Sequence, residues 1–413
     1  MDEQKFDEML TKYADVTVKI GLNLRKGQSL SIRGILEDAP FIRKVVESAY
    51  QAGAKYVDVL WTDERTQRLF FEYANSENIE HIPEWLFHRF EEYEKWGDAR
   101  LAVYSTDPDL LEGIDPELIA KHRKAFAEKV FEPLRKYENF ANWCVVATAT
   151  PSWARKVFPG LPVEEAKEKL WEAIFQVCRI DVPDPVSAWK EHTTKLIKYK
   201  DYLNTKRYAS LHYKGPGTDL TLGLPENQVW SGAQESFTNG VTCTVNIPTE
   251  EVFTAPHKDK ADGVVKASLP LNLGGIMVEE FNLTFEHGRA VKVTAKKGEE
   301  DLRKLIETDE NAGRLGEAAL VPHSSPISQR GHMFYNTLFD ENAASHIALG
   351  NAYRSSIKGG EDMTEEEFAA QGGNKSLIHV DFMVGSGQLD IDGICDDGTR
   401  EPVMRAGEWV FDV

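Results

Sequence analysis

Four segments in the second half of the chain combine histidine or carboxylate side chains with apolar neighbours. The segment LIHVDFMVG is the most informative, because His379 and Asp381 lie two residues apart in a run typical of a buried strand. Side chains with this spacing point to the same side of a strand. A carboxylate is costly to bury unless it is paired or bound to a metal, and neutral imidazole is a common metal ligand. A metal site and a buried His–Asp hydrogen bond therefore both explain this pair.

Two further segments carry glutamates. In NIPTEEVFTAP, Glu250 and Glu251 are adjacent, so an extended backbone sends them to opposite sides and only one can join a common site. By itself this pair reads as a solvated acidic edge. In GRLGEAALV, Glu317 follows a glycine, and a lone carboxylate there usually favours a helix N-terminus through the macrodipole.

The segment FDENAASHIALGNAYR supplies the remaining candidates. We predict a helix from Ala343 to Arg354, which would place His346 and Tyr353 on one face two turns apart. Glu341 would lie near the helix start, either facing the same cavity or capping the helix. Taken alone, His346 reads as an ordinary core histidine.

Together the four segments offer only nitrogen and oxygen donors, which suit Zn, Co or Mn. Two divalent ions carry four positive charges, which three carboxylates and a hydroxide, or four carboxylates, would neutralise. A single ion would leave the carboxylates in excess, and their repulsion would weaken the site. We therefore expect two metal ions, with one glutamate of the Glu250–Glu251 pair, Glu317, His346, His379 and Asp381 as ligands and Glu341 as a further candidate.

The first half of the chain alternates strand-length apolar runs with amphipathic stretches of helical period, which predicts an α/β domain with a mixed or parallel sheet. No GxGxxG or GxxxxGK[ST] loop follows a strand, so a nucleotide site is not indicated. The predicted strands are Ser29 to Arg33, Tyr56 to Trp61, Leu101 to Tyr104 and Cys144 to Ala149, and the predicted helices are Pro40 to Ala52, Asp63 to Asn75, Pro116 to Tyr137 and Glu164 to Ile180.

After a predicted helix from Asp184 to Asn204, the chain changes to short strands punctuated by Gly, Pro and Asn. We place the domain boundary near residue 190, giving an α/β domain at 1–190 and a mostly β (α+β) metal-binding domain at 191–413. A further helix is predicted from Glu299 to Thr308.

Composition narrows the function. The 413 residues carry a formal net charge of -19, which disfavours nucleic acid because phosphate binding relies on Lys and Arg. No apolar run approaches the roughly 20 residues that cross a bilayer, and the acidic N-terminus is unlike a signal peptide. We expect a soluble, cytoplasmic protein without a membrane partner. The four cysteines are far apart without CxxC pairing, so any metal ligands must be His, Asp and Glu.

The four segments, in this order and at these intervals, closely resemble the thermophilic aminopeptidase family, and the resemblance extends to the WTDE segment at Trp61 and to the overall length. The resemblance implies a homodimeric metallo-aminopeptidase with two divalent ions, Zn or Co first and Mn or Mg as alternatives. Its substrates would be peptides with a free N-terminus, cleaved with broad preference.

The resemblance also implies roles for individual residues. Glu251 matches the bridging carboxylate, with Glu317, His346, His379 and Asp381 completing the two coordination shells. Glu341 matches a ligand or a group lining the site, and Tyr353 matches the active-site tyrosine. Glu317 would also transfer the proton of a water that bridges the metals, so the expected catalytic residues are Glu317 and Tyr353.

Two other functions compete with this interpretation. A two-metal phosphoesterase could use the same ligand types, although it usually needs Arg or Lys near the metals, and the four segments offer only Arg314 and Arg354. A non-catalytic binding protein could carry the same side chains as ordinary core and surface groups.

Overall fold

The computed structural model describes residues 1–131, 140–273 and 276–411. Two compact units are present. The first contains Met1–Glu191 and Gln234–Pro248, and the second contains His192–Ala233 and Thr249–Val413. Each unit is thus built from two stretches of chain. The division into domains at 1–190 and 191–413 stays a prediction. No helix within the described ranges is both long and apolar enough to cross a bilayer.

The first unit contains a four-stranded sheet in which every neighbouring pair is parallel. The strands of this unit, numbered along the whole chain, are β1 (Leu30–Ile35), β2 (Val57–Thr62), β3 (Ala99–Val103), β4 (Trp143–Val146), β8 (Glu235–Ser236) and β9 (Thr242–Cys243). The order in the sheet is β2-β1-β3-β4, which confirms the α/β expectation for this half. Strands β8 and β9 form a two-stranded ribbon in Gln234–Pro248, the second stretch of chain that belongs to this unit.

The predicted helices of this unit are present with shifts of a few residues. The helices are α1 (Glu3–Val16), α2 (Ala39–Gln51), α3 (Glu64–Tyr73), α4 (Glu84–Trp96), α5 (Pro116–Phe126), α6 (Pro151–Val157) and α7 (Val163–Val177). The stretch expected from Pro116 to Tyr137 is α-helical as far as Phe126 and continues as a π-helical turn at Ala127–Phe131, while its last residues lie outside the described ones. Among the described residues, the sequence patterns do not predict α1, α4 or α6.

The second unit is mainly antiparallel β-structure. Its strands are β5 (Ser210–Gly215), β6 (Thr218–Gly223), β7 (Ser231–Gly232), β10 (Val252–Thr254), β11 (Ala261–Lys266), β12 (Leu271–Leu273), β13 (Ile276–Val278), β14 (Asn282–Glu286), β15 (Arg289–Thr294), β16 (Leu315–Leu320), β17 (His346–Gly350), β18 (His379–Met383), β19 (Asp390–Ile394), β20 (Arg400–Arg405) and β21 (Glu408–Trp409). A five-stranded sheet has the order β18-β17-β16-β10-β7, an eight-stranded sheet has the order β15-β14-β11-β6-β5-β19-β20-β21, and β12 pairs with β13.

The predicted helix from Ala343 to Arg354 is wrong, because His346–Gly350 forms strand β17. Ile347 and Leu349 alternate with His346 and two small residues, which is a period of two rather than 3.6. The strand is buried on both faces, and this removes the polar positions that would have revealed the alternation. The helices in or entering this unit are α8 (Pro185–Lys206), α9 (Glu299–Ile306), α10 (Thr337–Asp340) and α11 (Glu365–Ala370).

One face of the five-stranded sheet joins the core of the unit. Ile347, Leu349 and Phe382 share a buried apolar cluster with Leu211 and Leu220 of the eight-stranded sheet. Burying side chains of this size contributes about 1.5–3 kcal/mol each. The other face of β16, β17 and β18 is therefore available for polar and charged side chains.

Gly350, at the end of β17, has a backbone conformation that L-residues rarely adopt, with φ at +99°, and a Cβ there would lie 2.1 Å from the carbonyl oxygen of Ile378. We expect Gly350→Ala to lower the free energy of unfolding by about 2–4 kcal/mol, combining backbone strain with a steric clash. Urea denaturation measures the change.

The matched control is Gly398→Ala, because Gly398 has φ at +81° but nothing within 4 Å of the position that a Cβ would take. This variant should lose only about 1–2 kcal/mol through backbone strain. Equal losses in the two variants would contradict the close approach at Gly350.

Candidate metal centre

Three neighbouring strands bring two carboxylates into one row. Glu317 on β16 pairs with Ala348 on β17, and Ala348 pairs with Asp381 on β18. Paired residues of adjacent antiparallel strands share a face, so both carboxylates lie on the same side of the sheet. Because only a methyl group stands between them, the centre of the row is open.

The two histidines lie on this same face. His346 pairs with Met383, and His379 pairs with Gly350. His346 and Gly350 are each two residues from Ala348, so alternation keeps all three on one side. Small residues at the middle strand thus leave space for side chains that come from its two neighbours.

Glu251 reaches the face from the next strand along. Phe253 on β10 pairs with Ala319, which in turn pairs with His346. Glu251 is two residues before Phe253 and takes the same side, whereas Glu250 lies 3.6 Å from His192. The register therefore separates the adjacent glutamates, a choice that the sequence alone left open.

The donor atoms form two groups that share Glu317. His346 Nε2 lies 3.3 Å from Glu251 Oε2 and 3.6 Å from Glu317 Oε1. His379 Nε2 lies 3.4 Å from Glu317 Oε2 and 3.5 Å from Asp381 Oδ1. Within each group, one ligand atom per residue lies within 4.8 Å of the others, a spacing that can hold a metal ion.

Each imidazole is oriented by a backbone carbonyl. Nδ1 of His346 lies 3.1 Å from the oxygen of Ala344, and Nδ1 of His379 lies 2.7 Å from the oxygen of Asn351. A carbonyl only accepts, so Nδ1 carries the donated proton in both rings. In the neutral tautomer Nε2 is then a bare lone pair that faces carboxylate oxygens, an arrangement typical of a metal-binding histidine.

The pKa values of the two histidines also indicate a cation site. Burial alone would lower the pKa of His379, but the carboxylates of Asp381 and Glu317 raise it to about 11. Burial opposes a similar rise at His346, where the carboxylates of Glu251 and Glu317 lift the pKa well above its usual value. The acidic side chains thus favour positive charge at both imidazoles, and a bound cation supplies it as well as a proton does.

Two buried carboxylate oxygens support this interpretation. Among the described residues, neither Glu251 Oε2 nor Asp381 Oδ1 has a hydrogen-bond partner of good geometry. An unsatisfied buried carboxylate oxygen is costly. The residues present therefore fit divalent cations, which would take up these oxygens together with the two Nε2 atoms.

Glu341 and Tyr353 border the two groups without belonging to either. Glu341 follows α10, and burial together with the charge of Asp381 raises the pKa of its carboxyl well above its usual value. The Tyr353 ring lies 5.0 Å from that of His379, and desolvation and the carboxylate of Glu317 raise the pKa of its hydroxyl, which therefore remains a donor.

Some residues that shape the site had not been found from the sequence. Asn342 accepts from the backbone N–H of Glu250 at 2.7 Å and donates to the carbonyl of Leu338 at 3.0 Å, which holds the chain that carries Glu251. Ala348 and Gly350 leave room at the centre. Their alternation with His346 is the sequence signal that indicates a strand here, and the prediction of a helix over the same residues overlooks it.

Comparison with known proteins identifies the relatives of this chain. The sequence model of the family described as "Thermophilic metalloprotease (M29)" matches residues 6–409 of this chain. Aminopeptidase T of Thermus thermophilus is 47% identical over 98% of this chain and 99% of its own length. Aminopeptidase AmpS of Bacillus subtilis is also 47% identical, again over 98% and 99% of the two chains. Aminopeptidase 2 of Geobacillus stearothermophilus is 44% identical over 99% of each.

A solved structure is similar along the whole chain. Wild-type AmpT from Thermus thermophilus superposes with a TM-score of 0.92 at 46% identity, covering 98% of this chain and 100% of that one. The resemblance that the four motifs suggest is thereby confirmed, as is the expected fold class of an α/β part followed by a mostly β (α+β) part. The chain belongs to the thermophilic metalloprotease family, M29.

Proposed function

We propose that this protein is a metallo-aminopeptidase that removes residues from the free N-terminus of peptides, using two divalent ions. The observation that carries the proposal is the pair of donor groups joined at Glu317, in which both Nε2 atoms face carboxylates. The names of the relatives, which are aminopeptidases, support the substrate class.

In this proposal Glu251, Glu317 and His346 hold one ion, and Glu317, His379 and Asp381 hold the other. The distances favour Glu317 over Glu251 as the shared carboxylate, because each of its oxygens faces a different imidazole. Zn or Co suits these nitrogen and oxygen donors best, with Mn or Mg as alternatives. A homodimer, on the basis of the family resemblance, and the cytoplasmic location expected from the sequence complete the proposal.

The residues around the donors supply the rest of the chemistry. Divalent ions, when bound, provide a water acidified to a pKa near 7 and polarise a carbonyl oxygen. Tyr353 donates a hydrogen bond to the carbonyl oxygen of the scissile bond as negative charge develops there. In this proposal Glu341, which belongs to neither donor group, takes the proton-transfer role expected of Glu317 and passes the proton to the leaving nitrogen.

Neither arginine of the four motifs is available to receive the phosphate of a phosphoesterase substrate. Arg314 donates to the carbonyl oxygen of Lys258 at 2.8 Å and pairs with Asp259. Arg354 donates to the carbonyl oxygens of Gly360 and Met363. Both guanidinium groups of the four motifs are thus engaged in structural contacts, which weakens the phosphoesterase alternative.

The proposal is tested with chelator-treated protein to which Zn, Co, Mn or Mg is restored separately. An aminoacyl p-nitroanilide should be hydrolysed only after a metal is restored. The same substrate with an acetylated amine should be inert, and p-nitrophenyl phosphate should not be cleaved. Phosphate release, or equal cleavage of the acetylated anilide, would overturn the aminopeptidase assignment.

Glu317→Gln should reduce the content of both ions, because the substitution removes the charged donor common to both groups. Asp381→Asn should reduce the content to about one ion per chain, since it alters one group only. Metal-to-protein ratios after dialysis against a fixed free-metal concentration measure both changes.

The matched control is Glu250→Gln, which alters the adjacent buried carboxylate outside both donor groups. It should retain the full metal content. Two ions per chain in Glu317→Gln would refute the shared role of that residue.

Tyr353→Phe should keep the fold and both ions but lose about 10²–10³ in kcat, the usual cost of removing one oxyanion donor. Because the side chain is 49% exposed, stability should change little. Steady-state kinetics with metal analysis of the same preparation checks this. An unchanged kcat would remove Tyr353 from the chemistry.

A further inference from the structure

A cleft of about 500 Å³ borders the candidate metal centre. Glu341, His379 and Asp381 lie at the boundary between the two, so the cleft opens onto the donor atoms. All five residues of β18 line it. Consecutive residues of a strand point to alternate faces, so a cleft that all of them line must run along the backbone edge of the strand.

That edge of β18 is the end of the five-stranded sheet. The N–H of Asn351 donates to the carbonyl of Ile378, and the N–H of Val384 donates to that of Ser345. In an antiparallel ladder these bonds recur at every second residue, so His379, Asp381 and Met383 direct their N–H and C=O groups away from β17.

The outward backbone groups of these three residues differ in their hydrogen-bond partners. The carbonyl of Met383 accepts from the N–H of Ser268 at 2.8 Å, which closes one end of the cleft. Among the described residues, no hydrogen bond occupies the outward N–H or C=O of His379 or Asp381. These four groups present the pattern to which an added strand binds.

The walls of the cleft are suited to side chains of an extended segment. Leu271 and Leu273 of β12 form one wall, and Met333 and Tyr335 contribute to another. The volume lies within the roughly 300–1,000 Å³ that is typical of ligand clefts. Apolar walls beside free backbone groups match an extended peptide better than a compact polar ligand.

We infer that peptide substrates bind as an additional strand on the free edge of β18, with main-chain hydrogen bonds to His379 and Asp381 and side chains against the β12 wall. The inference rests on the proposed function. The same two residues would then offer side chains to the metals and backbone to the peptide. The enzyme would favour extended peptides of three or more residues over dipeptides, with little demand on their sequence.

The test compares C-terminally amidated peptides of two, three and four residues that share one N-terminal residue, using the metal-loaded enzyme. We expect kcat/KM to rise at least tenfold from dipeptide to tetrapeptide. In the tetrapeptide, each bond beyond the scissile one is replaced in turn by an ester, which removes one N–H donor. At least one replacement should lower kcat/KM by about 2- to 12-fold, the range for one hydrogen bond.

A protein-side test uses Leu273→Trp, which fills the cleft from the β12 wall. The ratio of kcat/KM for tetrapeptide to that for an aminoacyl p-nitroanilide should fall at least fivefold. The control is Ile276→Trp, because Ile276 pairs with Leu273 across the β12–β13 hairpin but does not line the cleft. That control should leave the ratio unchanged.

The two proposals fail differently. Release of the N-terminal residue at the same kcat/KM from every length and every ester would overturn strand addition while leaving the aminopeptidase function intact. A matching fall of the ratio in Leu273→Trp and Ile276→Trp would also overturn it. No release from any peptide under any metal would instead refute the proposed function.

Discussion

The crowding of carboxylates on one face of a sheet is the constraint on which the rest of this structure depends. Glu251, Glu317 and Asp381 lie beside two imidazoles, and Glu341 borders them. Their mutual repulsion is relieved by protonation of a carboxyl group, as the raised pKa of Glu341 indicates, or by positive charge held as protons on the imidazoles or as bound cations. Because each Nδ1 is committed to a carbonyl, that charge has to lie at Nε2, between the rings and the carboxylates.

The register of β17 in this sheet is fixed by its apolar face, which lies opposite the candidate metal centre. Ile347 and Leu349 are buried in the core, while their alternating neighbours His346 and Ala348 face the site. A slip of β17 by one residue would turn His346 into the apolar core and point Ile347 and Leu349 at the carboxylates, so the alternative register is strongly disfavoured. Stability of the core therefore also sets the positions of donors contributed by three strands and by Glu251, the residue just before a fourth.

Part of this site was predictable because the signal was local. His379 and Asp381 share a face through a spacing of two, and this held without knowledge of the fold. His346 was placed on a helix instead, because a strand buried on both sides shows no polar alternation. The choice between Glu250 and Glu251, and the carbonyls that orient the rings, depend on register between distant segments. Local sequence carries no such information.

The position of β18 at the sheet edge links recognition with chemistry. An interior strand has both rows of backbone groups occupied and can offer a substrate only its side chains. An edge strand offers both, and a peptide paired with it lies about 4.7–4.9 Å away in a register fixed by hydrogen bonds. Main-chain groups are the same in every peptide, so such pairing positions the scissile bond with little dependence on sequence. If substrates bind by the proposed strand addition, broad preference among peptides is the expected consequence.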